Sequence, residues 1–437
     1  MTRKMKDSGI KWIGEIPKEW KVTKIGNVKD RLHHYPIGDG DHGSIKPHDY
    51  HSKGVPYIRV QNLSWGKNIN FNNMVYISND VHSKNKKSVL LPGDILIAKT
   101  GATYGKTAII PESIEEANTT SSVGKLTVDK IKFDNNFIYY ALKSDSTYTE
   151  MTITASQKSA QPGFNIEDLV EFKIPIPPKE EQERIANFLD KQTYVIDGII
   201  EDTKLSIQEL NQYKQSLITE TVIKGLDKNV VMKDSGIEWI GETPENWKVI
   251  KIKHLLLESS DKSINGNEEP LSMSQKVGII PSKLMDKIPN PPSSYVGNKL
   301  VRKGALVFNK LKAHLGVFSV SNYDGIVSPD YAVYYSKKGV NAKFLELLFK
   351  TPQCITEFQR NSRGVGKGLT RLYTYEFFNI KVSLPNLNTQ NEIVAFINDK
   401  VNHINDLIVE KEQLISEFES YKKSLIYEYV TGKKEVM

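Results

Sequence analysis

The sequence is short of cysteine and of long apolar segments. Its 437 residues include one cysteine, Cys354, which excludes an internal disulfide and a zinc site built from cysteines. No apolar run approaches the roughly 18–20 residues of a membrane-spanning helix. The N-terminal stretch MTRKMKDSGIKW has no apolar region of the kind found in secretory signals. We therefore expect a cytoplasmic, globular protein with two or three domains.

Recognisable catalytic and cofactor patterns are also scarce. GDGDHG at 38–43 has the glycines of a dinucleotide loop, but the residues after it do not suggest a helix. NPPSSY at 290–295 has serine where an adenine methyltransferase loop needs an aromatic to stack on a flipped base. Histidines and aspartates between Asp30 and His51 could bind a metal, but their spacing fits no familiar site. We predict no catalytic residue and no metal ligand.

Positive charge is concentrated in part of the chain. The net charge is +7, but segments 179–224 and 388–437 each carry −3, which leaves +13 on the remaining residues. A basic excess of this kind favours a polyanionic partner, with nucleic acid the first candidate. Solvated surface lysines that serve solubility alone are the alternative.

Two internal repeats organise the sequence. KDSGIKWIGEIPKEWKV at 6–22 matches KDSGIEWIGETPENWKV at 233–249 in thirteen of seventeen positions. IPIPPKEEQERIANFLD at 174–190 resembles VSLPNLNTQNEIVAFIN at 382–398, and YKQSLITE resembles YKKSLIYE further on. The C-terminus followed by the N-terminus imitates the internal junction VIKGLDKNVVMKDSGIEW. These repeats predict a duplicated unit with circular, pseudo-two-fold organisation.

Two long helices follow the repeated proline segments. Pro178 with Glu180 and Glu181, and the pattern Thr389-x-x-Glu392, are typical of helix starts. Apolar positions then advance by alternating steps of three and four, which favours an antiparallel coiled coil; separate amphipathic helices are the alternative. The expected seams are Ile185, Leu189, Gln192, Ile196, Ile199, Thr203, Ser206, Leu210, Tyr213 and Leu217, and Ile393, Ile397, Lys400, Ile404, Leu407, Lys411, Leu414, Phe418, Tyr421 and Leu425.

The segments between the repeats share a spacing, G-x5-K-x5-G, centred on Lys99 and Lys310. The first copy contains GATYGKT at 101–107, one residue short of a nucleotide-binding P-loop. The second copy has Val317 and Phe318 in place of the lysine and threonine. Because one copy misses the spacing and the other lacks the lysine, we predict a strand–turn–strand loop and no ATP site.

These marks together resemble the specificity subunit of type I restriction–modification systems. The resemblance is carried by both DSGI-x-WIGE segments, PIPPKEEQERIANFLDKQT, YKQSLITETVIKGL, DGDHGSIKPHDYHSKGVPYIRVQNL and LPGDILIAKTGATYGK. It covers essentially the whole chain and is weakest in the second variable segment.

The resemblance implies an α+β fold. Two mixed α/β target recognition domains would be separated by two long antiparallel coiled-coil helices. The first domain would span 1–178 and the second 227–387. The conserved helical regions would span 179–226 and 388–437.

The resemblance also implies the function and the partners. Each domain would read one half of a bipartite, asymmetric sequence in double-stranded DNA, and the helices would act as spacer and as scaffold for two methyltransferase subunits. Restriction subunits would join through that methyltransferase core. S-adenosylmethionine, ATP and Mg²⁺ would bind the partner subunits, and this chain would hold no cofactor. An unrecognised nuclease or methyltransferase, and a coiled-coil adaptor, are the alternatives.

Candidate contact residues follow from the loops and repeats. Basic side chains near tight turns can reach phosphates, and polar side chains in the major groove can read base edges. The DNA candidates are Asp39, His42, Arg59, Lys99, Thr103, Tyr104, Lys106, Lys310, Lys312, His314, Arg363, Lys367 and Arg371. The repeated tryptophans Trp12, Trp20, Trp239 and Trp247 are the partner-binding candidates.

Overall fold

A computed structural model describes residues 3–157, 162–274, 277–286, 294–366 and 369–436. The chain divides into two compact units. Unit 1 comprises Met1–Thr203 and Gln413–Met437, and unit 2 comprises Lys204–Glu412. Unit 1 is therefore built from both ends of the chain, as the circular repeat predicts.

Short strands and helices make up unit 1 before its long helix. The strands are β1 Met5–Asp7, β2 Glu15–Pro17, β3 Lys21–Lys24, β4 Ile37–Asp39, β5 Val55–Ile58, β6 Val75–Ile77, β7 Val89–Leu90, β8 Ile95–Ala98, β9 Thr107–Ile109, β10 Ala117–Thr119, β11 Val123–Leu126 and β12 Lys173–Ile176. The helices are α1 Asn79–Lys84, α2 Asn135–Lys143, α3 Asp145–Ser156, α4 Ile166–Glu171 and α5 Lys179–Lys224, of which the last continues into unit 2.

Unit 2 has a similar sequence of elements. Its strands are β13 Met232–Asp234, β14 Glu242–Pro244, β15 Lys248–Lys251, β16 Leu256–Glu258, β17 Leu271–Ser274, β18 Gly278–Pro281, β19 Lys299–Val301, β20 Leu306–Asn309, β21 Phe318–Val320, β22 Gly325–Val327, β23 Tyr331–Ser336, β24 Arg363–Gly366, β25 Leu369–Arg371 and β26 Lys381–Leu384. Its helices are α6 Ala342–Phe349, α7 Pro352–Arg360, α8 Thr374–Asn379 and α9 Leu387–Val430, and the end of α9 belongs to unit 1.

Equivalent strands pair in the same way in both units. Each sequence repeat forms a two-stranded hairpin, β1–β2 or β13–β14. The next strand pairs antiparallel with the strand that leads into a long helix, as β3–β12 and β15–β26. A four-stranded sheet has the order β4-β11-β8-β9 in unit 1 and β16-β23-β20-β21 in unit 2. The two units thus share a fold, although their loop sequences have little similarity.

The hydrophobic core of each unit contains residues of the sequence repeat and of both long helices. In unit 1, Trp20 lies in one buried cluster with Leu189 of α5 and Leu425 of α9. In unit 2, Trp247 lies in a cluster with Val222 of α5 and Ile393 of α9. Both helices therefore contribute to the hydrophobic core of each unit, and burial of their apolar side chains is what stabilises them there.

Helix α5 begins where the sequence signals predicted, whereas helix α9 begins earlier than predicted. Helix α5 begins directly after Pro178, with Glu180 and Glu181 in its first turn, as predicted. Helix α9 begins at Leu387, so Thr389 lies inside the first turn and is not the capping residue. Asn386 takes that place: its Oδ1 accepts a hydrogen bond from the backbone N–H of Thr389 at 3.1 Å.

Contacts between the two long helices run antiparallel within each unit. In unit 1 the ring of Phe188 lies 4.5 Å from that of Tyr429, and Lys422 forms an ion pair with Asp197. In unit 2 Lys214 Nζ donates to Asn405 Oδ1 at 2.9 Å. The detailed coiled-coil packing stays a prediction.

The burial of the long helices follows the expected seams only in part. Ile185, Leu189 and Ile196 are buried as expected, but the next buried residue is Ile200 and not the predicted Ile199. Tyr213, Leu414 and Tyr421, also expected in the seams, are exposed, which is a correction to the heptad assignment. Thr203, Ile404 and Leu425 are buried at their predicted seam positions, so the heptad assignment holds at some positions and fails at others. No helix in the described ranges is both long and apolar enough to cross a membrane.

Candidate DNA interface

The loop GATYGKT joins two paired strands. Strand β8 pairs antiparallel with β9, and the backbone N–H of Gly105 donates to the carbonyl of Ala98 at 2.9 Å across the turn. Gly105 has a φ of +86°, and a Cβ there would lie 2.7 Å from the ring of Tyr148. Both observations require glycine. The strand–turn–strand prediction is confirmed.

This turn holds three of the predicted DNA contacts. The ring of Tyr104 stacks on Tyr148 with centroids 5.8 Å apart, and its hydroxyl donates to Thr152 Oγ1 at 3.3 Å. Tyr104 is therefore fixed against α3. Thr103 and Lys106 are half-buried on the same turn, so all three side chains keep some accessible surface.

Asp39, His42 and Lys99 come together at the end of β4. Lys99 forms an ion pair with Asp39 Oδ2, while His42 Nε2 lies 2.8 Å from Asp39 Oδ1. The side chain of His42 is exposed, but that of Lys99 is only 5% exposed. The expectation that Lys99 reaches a phosphate is corrected, because its ammonium group is turned inward to a carboxylate.

Arg59 is partly fixed by its neighbours. Its guanidinium donates to the carbonyl of Asn73 at 2.7 Å and lies 5.4 Å from the ring centre of Tyr50. Within the described residues its buried Nε has no hydrogen-bond partner. Contact of Arg59 with DNA stays a prediction.

The unit 2 candidates are more dispersed. Lys310 Nζ lies 3.2 Å from Glu258 Oε1 and is largely buried, whereas Lys312 is exposed. Arg363 pairs with Glu376 at 2.5 Å. Arg371 pairs with Asp330 at 3.3 Å. The Nε of Arg371, like that of Arg59, is buried without a hydrogen-bond partner among the described residues. Lys367 and the side chain of His314 lie outside what the structure describes.

Lys310 and Arg371 lie in one region although they are 61 positions apart in the sequence. The backbone N–H of Leu372 donates to the carbonyl of Lys310 at 3.0 Å, which places the β24–β25 hairpin beside the 3₁₀-helical segment Lys310–Leu315 that follows β20. The structure thus brings these two candidates to one region of unit 2.

Two of the four tryptophan predictions need correction, and those for Trp12 and Trp239 stay predictions. Trp20 and Trp247 are buried in the cores of their units, so neither offers a surface to a partner. Trp20 Nε1 donates to Glu181 Oε2 at 3.0 Å, which ties the repeat to the first turn of α5. Trp12 and Trp239 are half-buried and pack against the same cores.

Sequence reasoning missed several side chains that build this region. Glu258 pairs with both Lys310 and Lys299, and Tyr148 positions Tyr104. No motif marks either residue, because each becomes significant through a partner distant in the sequence. Among the described residues, no group of three or more histidine, cysteine or acidic side chains is placed to hold a metal ion.

Comparison with known proteins identifies the family of this chain. The family model for the type I restriction modification DNA specificity domain matches residues 17–209 and 244–417. The chain belongs to this family.

Two relatives of this family member come from Methanocaldococcus jannaschii. The putative type I restriction enzyme MjaX specificity subunit is 25% identical over 97% of this chain and 96% of its own length. The type I restriction enzyme MjaVIII specificity subunit is 22% identical over 96% and 94%. The function of this family member is therefore that of a type I specificity subunit, as the sequence predicted, in preference to the enzyme and adaptor alternatives.

Solved structures support the fold of the specificity subunit. One chain, from a structure described as the basis of complex assembly and conformational transition of the type I R-M system, superposes with a TM-score of 0.69 and 15% identity, over 96% of this chain and 99% of that one. The HsdS subunit from Thermoanaerobacter tengcongensis gives a TM-score of 0.54 and 15% identity, over 96% and 98%. The predicted α+β fold with two repeated domains is confirmed.

Proposed function

We propose that the two units each read one half of a bipartite, asymmetric DNA sequence. The observation that carries this proposal is that equivalent sheets, β4-β11-β8-β9 and β16-β23-β20-β21, support loops with different polar side chains. Thr103 and Lys106 occupy the turn in one unit, and Lys312 follows the equivalent strand in the other. Different side chains on one scaffold suit different base sequences.

The long helices act as spacer and docking scaffold in this proposal. Tyr213 of α5 and Tyr421 of α9 are equivalent in the sequence repeat, and they are 58% and 53% exposed. Exposed aromatic side chains that recur on two helices suit two copies of one partner. We assign that partner as a methyltransferase subunit, with restriction subunits joining through the methyltransferase core.

The chemistry belongs to those partners. S-adenosylmethionine, ATP and Mg²⁺ bind the methyltransferase and restriction subunits, and this chain directs their action without a catalytic residue of its own. The complex works in the cytoplasm, on double-stranded DNA.

Exchange of one recognition domain tests the proposal. Residues 250–381 are replaced by the equivalent domain of a relative with a different target, and the DNA sites modified by the co-expressed complex are sequenced. We expect one half of the recognised site to change and the other half to stay the same. A change in both halves, or in neither, contradicts reading by separate domains. The chain assayed without partners is expected to transfer no methyl group.

A further inference from the structure

An acid–lysine pair recurs at the same topological position in both units. Asp39 is the last residue of β4, and Lys99 directly follows β8. Glu258 is the last residue of β16, and Lys310 directly follows β20. Strands β4 and β16 occupy the same edge in sheets of the same order. The pairs are Lys99 with Asp39 and Lys310 with Glu258.

The carboxylate is the more exposed member of each pair. The side chains of Lys99 and Asp39 are 5% and 15% exposed, and those of Lys310 and Glu258 are 13% and 29% exposed. A lysine that binds a phosphate needs the opposite arrangement, with its ammonium group outermost. The geometry therefore places the carboxylate nearer to the surface than its lysine in both units. In unit 1 the exposed ring of His42 also lies 2.8 Å from Asp39 Oδ1, so a base amino group would share that oxygen with the histidine or displace it.

Additional cations surround the unit 2 carboxylate. Lys299 Nζ lies 3.8 Å from Glu258 Oε1, the same oxygen that Lys310 reaches. Burial is the main reason that the pKa of Lys299 is lowered, and the nearby charges of Lys310 and Arg371 lower it further. Within the described residues no hydrogen bond reaches the other oxygen, Oε2.

A carboxylate with this support suits one kind of DNA contact. Phosphates repel an isolated acid, but a cation held behind it in a poorly solvated site offsets that repulsion. An ionised carboxylate can only accept hydrogen bonds. In the major groove the donors are the amino groups of cytosine N4 and adenine N6.

We propose that Asp39 and Glu258 are base-reading residues, each accepting a hydrogen bond from a base amino group in its own half-site. Lys99 and Lys310 are positioning residues that hold the carboxylates outward. This inference rests on the proposed function, since it needs each unit to face one half-site. It goes beyond that function by naming the specificity-determining residue and the base chemistry that it selects.

The test uses the complex of the full chain with its methyltransferase subunits and a pool of duplexes randomised at each position of the site. Glu258→Gln keeps the size of the side chain but adds a donor and removes the charge. We expect the preference for an amino-bearing base at one position of the second half-site to fall roughly tenfold, with the first half-site unchanged. Asp39→Asn is expected to do the same in the first half-site alone.

Two further variants separate a loss of base reading from a loss of folding or of surface charge. Glu258→Asp retains the charge but withdraws the carboxylate, so it should weaken preference at the same position even if Glu258→Gln fails to fold. Glu269→Gln breaks the more exposed pair with Lys283 in the same unit, whose atoms are 3.1 Å apart, and should change no base preference.

Three outcomes overturn the inference. Folded Glu258 variants with wild-type preference at every position do so, and so does tighter binding to all duplexes without a change in preference, because that result assigns the pair to phosphate binding. Unfolding of both Glu258 variants would show that the pair of Glu258 and Lys310 stabilises the fold and does not read bases. If the wild-type complex itself selects no bipartite site, the proposed function fails instead.

Discussion

At the scale of single residues, two buried glutamines make the same contacts in both units. Gln182 Oε1 accepts from the backbone of Asp134 at 2.9 Å, and its Nε2 donates to the carbonyl of Pro177 at 2.9 Å. Gln390 makes equivalent contacts with Asn341 and Pro385 at 2.8 and 2.9 Å. Each glutamine therefore fixes the start of a long helix to the domain before it.

Removal of either glutamine should destabilise its unit. Gln182→Ala or Gln390→Ala leaves a buried N–H and a buried carbonyl without partners, and we expect a loss of about 1–3 kcal/mol in the free energy of unfolding. Urea denaturation followed by circular dichroism measures this loss. Gln413→Ala is the control, because Gln413 is exposed on α9. Equal stability of all three variants would contradict the role assigned to the buried pair.

The single cysteine should be unreactive in the folded chain. Cys354 is fully buried in the core of unit 2, and burial raises the pKa of its thiol to about 12. Because only the thiolate is nucleophilic, iodoacetamide at pH 8 should leave the native protein unmodified and label it fully in urea. Intact-protein mass spectrometry measures the adduct. Rapid labelling of the native chain would show that unit 2 opens readily.

At the scale of elements, the exposed tyrosines of α5 and α9 carry a prediction about partner binding. Tyr213→Ala or Tyr421→Ala should weaken one methyltransferase site by about 2 kcal/mol, in the range of an aromatic hot spot, while the second site stays intact. Native mass spectrometry of the co-expressed complex should show two methyltransferase subunits per wild-type chain and one per single variant.

The control for that experiment lies outside the long helices. Tyr375 of α8 is 76% exposed, and Tyr375→Ala should leave two partner subunits bound. A wild-type complex that saturates at one partner per chain would refute the assignment of two equivalent sites.

At the scale of the whole molecule, we expect the continuous helices to set the length of the unread DNA spacer. Deletion of 203–206 together with 411–414 removes about one turn from each helix and nearly preserves the helical face. At 1.5 Å per residue this shortens each helix by roughly 6 Å, which corresponds to about two base pairs. Sequencing of the modified sites should show a shorter spacer between unchanged half-sites. An unaltered spacer in a folded, active deletion variant would mean that the helices do not measure it.

The sequence by itself determined the duplicated, circular organisation, the two long helices and the family. It could do so because these properties are local or repetitive: helical periodicity, proline segments before the helices, and two near-identical DSGI-x-WIGE segments. It also identified GATYGKT as a turn, because the second copy lacks the lysine that a P-loop requires.

Only the tertiary structure decided which side chains face inward. Lys99 looked like a phosphate ligand, yet Asp39, 60 residues away, holds it inside. Trp20 looked like a docking residue, yet Glu181, 161 residues away, accepts its indole N–H. Tyr213 and Tyr421 were expected in the helix seam, and they are exposed, although Leu425 in the same predicted seam is buried. Burial depends on contacts between residues that are distant in the chain, and a local pattern carries no record of them.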